Sequence, residues 1–128
     1  MRDTERAGGL LKLAEQDLDA FDVLLKSDKI HDRTLGFHAQ QAVEKSLKAW
    51  LALLGVDYPF THDLDALFSL IEDSSVLLAH DFRDLQMLTP FAVQFRYLTE
   101  EEAVCRFDRE RVLQRASELV AFVKELAK

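Results

Sequence analysis

The stretch that most limits what this chain can fold into runs from Phe37 to Leu54. Val43, Leu47, Trp50, Leu51 and Leu54 recur there at steps of three and four, so on a helix they share one face. Ala42, Ala49 and Leu53 widen that stripe, while Gln41, Glu44, Lys45 and Lys48 fall toward another side. No glycine or proline interrupts the run until Gly55, which suits a helix C-cap. Trp50, the only tryptophan, sits inside the stripe. The spacing predicts a central core helix from about Ile30 to Leu54, covered by other elements of the chain.

Those elements are also helical in pattern. Leu11, Ala14, Leu18, Phe21 and Leu25 mark one stripe over residues 4–26, with Asp17, Asp19 and Asp22 expected to face away and Gly8 and Gly9 to weaken the first turn. Ser27, Asp28 and Lys29 supply a turn and an N-cap, so the first two helices should form an antiparallel hairpin. After Gly55, Pro59 disfavours helix at Tyr58 and makes VDYPF extended. Thr61 or Asp63 can then cap a helix carrying Leu64, Leu67, Phe68 and Ile71, with Ser74 and Ser75 at its end. Leu78, Phe82, Leu85 and Leu88 begin a fourth helix, with Thr89-Pro90 as a kink or restart and Phe91, Phe95, Arg96 and Tyr97 closing it. Thr99 with Glu102 matches a capping box ahead of a last helix lined by Leu113, Ala116, Val120, Val123 and Ala127.

No strand-like alternation and no fixed repeat occurs. The fold class expected is therefore all-α: a single domain over residues 1–128, an up-and-down bundle of four to five helices. A length of 128 residues suits one domain. Phe21, Phe91, Phe95, Phe107 and Phe122, added to two wide stripes, exceed what so small a bundle readily hides, which predicts a homodimer.

Charge and composition narrow the function. A net charge of −7 argues against a non-specific nucleic-acid binder but leaves room for a local cationic pocket. The single cysteine, Cys105, can form no internal disulfide; it reads as structural and fits a reducing cytoplasm. MRDTERAGG has no apolar run, and no segment reaches about 18 uninterrupted apolar residues, so neither a signal peptide nor a membrane span is expected. His31 and His80 read as surface residues. His62-Asp63 and His80-Asp81 are adjacent pairs whose side chains diverge on a helix, and no Glu-x-x-His, phosphate-binding glycine loop, GxSxG or CxxC occurs. No metal or cofactor is expected.

AQQAVEKSLKAWL, then a loop ending in THDL, then FRYL some thirty residues later, together resemble the HEPN family (higher eukaryotes and prokaryotes nucleotide-binding domain). The resemblance implies an all-helical, commonly dimeric module associated with nucleotides and RNA. HEPN ribonucleases carry an arginine followed, after four to six residues, by a histidine, and cleave RNA without metal: a base takes the 2′-hydroxyl proton and a cation steadies the phosphate. Arg33-TLGF-His38 has that spacing but lies at the start of the central helix, away from the family's motif, and reads as chance. At the motif position stands Arg96, followed at the right distance by Glu101, Glu102 or Ala103 and no histidine, with Leu98 where proline is usual. The resemblance thus implies an RYP-like branch without the standard ribonuclease pair.

The candidate site groups Arg96 and Tyr97 with His62 of the THDL loop and with Gln41, Glu44, Lys45 and Lys48 of the central helix. Cations would hold phosphate there and Tyr97 would stack on a base. Arg96 and His62 are also the candidates for catalysis. Each has a plain structural alternative: His62 can pin its turn, Glu44 and Lys48 form an i,i+4 pair worth about 0.2–0.5 kcal/mol, and Gln40 or Gln41 can bond a loop or a dimer partner. Three functions are compatible with this set. One is a non-catalytic HEPN module that binds a nucleotide or nucleic acid, or pairs with a small nucleotidyltransferase in a toxin–antitoxin-type system, with Tyr97 as the modified residue. The second is an active ribonuclease with a non-standard Arg/His pair. The third is a dimeric helical scaffold without ligand.

Overall fold

The computed structural model describes residues 2–74, 79–92 and 107–128, the side chains of Ala79 and His80 excepted. In chain order these form α1 (Thr4–Leu25), α2 (Asp32–Leu54), α3 (Leu64–Ser74), a 3₁₀ segment (Ala79–Ala92) and α4 (Arg109–Leu126). No strand occurs among the described residues, and the fold is an all-helical bundle.

The core gathers on α2. Val43, Leu47, Trp50 and Leu51 are fully buried, together with Leu35, Ala39, Ala42 and Ala49. Trp50 packs on Phe122 of α4 with ring centres 5.1 Å apart, and Phe122 in turn meets Phe82 of the 3₁₀ segment at 5.5 Å. Gly55 ends α2 in the left-handed region at φ 71°, its N–H donating to the Ala52 and Leu51 carbonyls. Only glycine adopts that conformation at little cost, which is why the helix stops there.

Polar links fix the helix directions. The Asp3 N–H donates to the Ala52 carbonyl, joining the start of α1 to the end of α2, so the two run antiparallel. Arg109 at the start of α4 donates to Asp32 and to the Ile30 carbonyl, at 2.7 and 2.9 Å, so α4 runs parallel to α2. Arg2 closes the far end through the Leu126 carbonyl. Arg83 of the 3₁₀ segment reaches back across α3, bonding Glu72 through two nitrogens and also Asp65 and Ser69.

Several sequence expectations need correction. The fourth helix is 3₁₀ rather than α. Phe82, Leu85, Leu88 and Phe91 are spaced by three, and at three residues per turn they align on one face, where all four are buried. Pro90 lies inside that segment and withholds an N–H from its ladder. Phe91 lies against Gly36 of α2 so closely that a Cβ on Gly36 would come within 2.8 Å of its Cε1. The N-cap of α2 is His31, with no side-chain cap bond, while Ser27 accepts the Lys29 N–H within the preceding turn. α1 is continuous through Gly8 and Gly9, and Asp3 caps its start by accepting the Arg6 N–H. Asp17 does not face solvent but ion-pairs with Lys45. α4 starts at Arg109 under an Asp108 cap, and the Thr99–Glu102 capping box lies outside the described residues.

The surplus of phenylalanines is also smaller than expected. Phe21 and Phe91 are buried within the single chain, and Phe107 and Phe122 pack against its core. Phe95 lies outside the described residues. A dimer is therefore not needed to cover these four.

Candidate functional site

Gln40, Glu44 and Lys48 stand one turn apart on α2, so they form one polar row, beside the partly exposed His38, Gln41 and Lys45. The segment after Gly55 turns back along this row. Tyr58, Phe60 and His62 of this segment lie against the row. The Lys48 ammonium lies 5.7 Å from the ring centres of both Tyr58 and Phe60, and His62 bonds Glu44. Asp63 then caps α3, its carboxylate accepting the Asp65 N–H.

Glu44 is the centre of the site. Its side chain is 6% exposed, yet its carboxylate has three donors: His62 Nδ1 at 2.7 Å, Gln40 Nε2 at 3.0 Å and Lys48 Nζ at 3.0 Å. Burial alone would push its pKa up. The bonds from Gln40, His62 and Lys48 outweigh it and hold the carboxyl below its ordinary range, so it is an anion at neutral pH. An anionic acceptor requires the proton on His62 Nδ1, which leaves Nε2 as the nitrogen open to another partner. His62 is 52% exposed and meets Phe60 edge-on at 5.7 Å. Gln40 Nε2 also donates to the His62 carbonyl, fixing the loop backbone, and Gln41 donates to Gln40 Oε1 at 2.7 Å.

The structure thus brings Gln41, Glu44, Lys48 and His62 into one network. It does not bring Lys45 there: the ammonium turns to α1 and bonds Asp17 Oδ2 at 2.6 Å, beside His38 Nδ1 at 3.3 Å. His38 therefore belongs to a helix–helix contact, and His31 is exposed. Arg96, Tyr97 and Cys105 lie outside the described residues. Gln40 is the inward glutamine of the pair and is fully buried. Sequence reasoning gave no part to Phe60, which is 94% exposed, or to Tyr58 and Arg6 beside it. The alternation of Tyr58, Phe60 and His62 around Pro59 was the available signal.

Among the described residues, no group of three His, Cys, Asp or Glu side chains could hold a metal ion, and no helix is long and apolar enough to cross a membrane. The chemistry on offer is that of a carboxylate-oriented imidazole, a neighbouring ammonium and an exposed aromatic face. Groups of these kinds have the chemistry to contact a phosphate or a base and to move a proton.

The family model of the HEPN domain matches residues 7–126, nearly the whole chain. The chain belongs to the HEPN domain family, a group of helical bundles generally associated with nucleotides and RNA. Comparison with curated proteins and with solved structures gives no match.

Proposed function

We propose that this HEPN chain binds a nucleotide or nucleic acid at the Glu44–His62 site. In the same reading it works in the cytoplasm as a homodimer, paired with a small nucleotidyltransferase in a toxin–antitoxin-type system. The observation that carries the binding function is the buried Glu44 anion, which orients a half-exposed histidine beside Lys48 and the exposed Phe60 ring. Holding the imidazole through Nδ1 presents Nε2 outward, where a phosphate or base edge can reach it. Arg96 and Tyr97 complete the pocket in this reading, supplying a permanent charge and a second ring.

The test is a nucleotide titration beside a ribonuclease assay on the purified protein, wild type and Arg96→Ala. Saturable binding that weakens at least ten-fold in the variant, with no cleavage, supports the reading. Absence of nucleotide and RNA binding in the wild type overturns it. Pairing is tested by pull-down with nucleotidyltransferases encoded beside the gene, and the dimer by sedimentation.

One observation favours a second reading, metal-independent RNA cleavage. A carboxylate that fixes the proton on Nδ1 leaves Nε2 as a base able to take a 2′-hydroxyl proton. RNA cleavage that persists in a chelator and vanishes in His62→Ala would establish it.

A further inference from the structure

The candidate site does not end at His62. Its neighbours form a strip along the loop in which cations and rings alternate: Arg6, Tyr58, Lys48, Phe60 and His62. The Arg6 guanidinium lies 5.0 Å from the Tyr58 ring centre, Lys48 lies 5.7 Å from Tyr58 and from Phe60, and Phe60 meets His62 at 5.7 Å. At the Arg6 end the strip opens into a cleft of about 470 Å³ between the start of α1 and the end of α2. Tyr58 lines that cleft, and its hydroxyl is buried without a hydrogen-bond partner among the described residues.

We infer that this strip is the seat of a single-stranded nucleic acid several nucleotides long, so that the ligand of the proposed site is an oligonucleotide rather than a free mononucleotide. The inference rests on the binding function proposed above. Phe60 presents nearly its whole ring to solvent, and stacking on an unpaired base is sequence-tolerant because every base has a π-face. Arg6 is exposed and has no carboxylate partner among the described residues, so its charge is available to a phosphate. A protein-docking residue of the same size would sit in a packed apolar surround. Phe60 instead stands beside rings, with Arg6 and His62 as the exposed groups able to meet phosphate, while Lys48, 12% exposed, is held by Glu44. A duplex does not fit this reading, because its bases are already stacked and cannot reach Phe60.

Two acidic side chains work against the strip. Asp3 and Asp57 are exposed and line the same cleft as Arg6; Asp3 is the α1 cap, while Asp57 repels phosphate there and weakens the local field. Removing the Asp57 charge should therefore strengthen binding, an effect that a purely structural role for this loop would not give.

The experiment is fluorescence anisotropy with a labelled oligouridine of about eight nucleotides, competed by uridine mononucleotide and by a duplex of equal length. Wild type is compared with Phe60→Ala, Arg6→Gln and Asp57→Asn. The oligonucleotide should bind at least ten-fold tighter than the mononucleotide and the duplex. Phe60→Ala should lose about ten-fold in oligonucleotide affinity, the scale of one stacked base. Arg6→Gln should weaken it less and reduce its salt dependence, and Asp57→Asn should raise it. Equal affinity for mononucleotide and oligonucleotide overturns the strip while leaving the binding function intact. Unchanged oligonucleotide affinity in Phe60→Ala, or a duplex that competes as well as the single strand, also overturns it. Binding of no nucleotide of any length by the wild type removes both readings.

Discussion

Two clusters on α2 use the same chemistry and serve different ends. In each, a carboxylate accepts from a histidine Nδ1 and a lysine ammonium: Asp17 with His38 and Lys45, and Glu44 with His62 and Lys48. The Asp17 cluster joins two helices, its carboxylate is 15% exposed, and its histidine bond is long at 3.3 Å. The Glu44 cluster joins a helix to a loop and is more deeply buried. A third donor, Gln40, brings in the loop backbone, and the histidine bond is short at 2.7 Å. What separates a strut from a candidate site here is not residue type. It is where the histidine sits: His38 is on the helix itself, while His62 stands on a loop beside an exposed ring.

The largest expected difference between the clusters is in stability. Glu44→Ala leaves Lys48, Gln40 and His62 without their acceptor and should cost about 3 kcal/mol in denaturant unfolding. Asp17→Ala removes a more exposed and more adjustable pair and should cost about 1 kcal/mol. Equal costs would break the distinction.

A smaller effect separates them by pH. Because the Glu44 carboxyl is held below its ordinary range in the folded state, its contribution is fully present above the unfolded carboxylate pKa. It is lost as pH falls through the folded value. The stability gap between wild type and Glu44→Gln should thus be full at about pH 7 and shrink as pH falls below the ordinary carboxylate range, about 4. Unfolding curves at both ends check this, and a gap that stays constant would contradict it. The smallest effect belongs to the Arg-x₄-His string: Arg33→Ala should leave nucleotide affinity within about two-fold of wild type, as measured by titration.

Much of this was legible beforehand because it rests on periodicity. The buried face of α2, the Gly55 stop and the Asp63 cap follow from spacing and backbone preference, and the family was legible from AQQAVEKSLKAWL with THDL. The type of the fourth helical segment is also in the sequence, in the three-residue spacing of Phe82, Leu85, Leu88 and Phe91, but the four-residue step from Leu78 to Phe82 gives the run an α-helical look. The site was legible only in part. Glu44, Lys48 and His62 could be grouped, but Lys45 could not be separated from them, because neighbours on a helix diverge by about 100° and sequence does not say which neighbour meets another helix. Asp17 decides that, 28 residues away. Phe60 was missed because the alternation of Tyr58, Phe60 and His62 spans only three rings in a loop, too short a run to mark a face.

The most direct test sets the two histidines against each other. Nucleotide and single-stranded RNA titrations should be run on His62→Ala and His38→Ala in parallel, with thermal melts to establish that both fold. The account predicts that His62→Ala loses at least ten-fold in affinity while His38→Ala binds as wild type does. Loss in His38→Ala with full binding in His62→Ala would move the site to the Asp17 cluster and contradict the account.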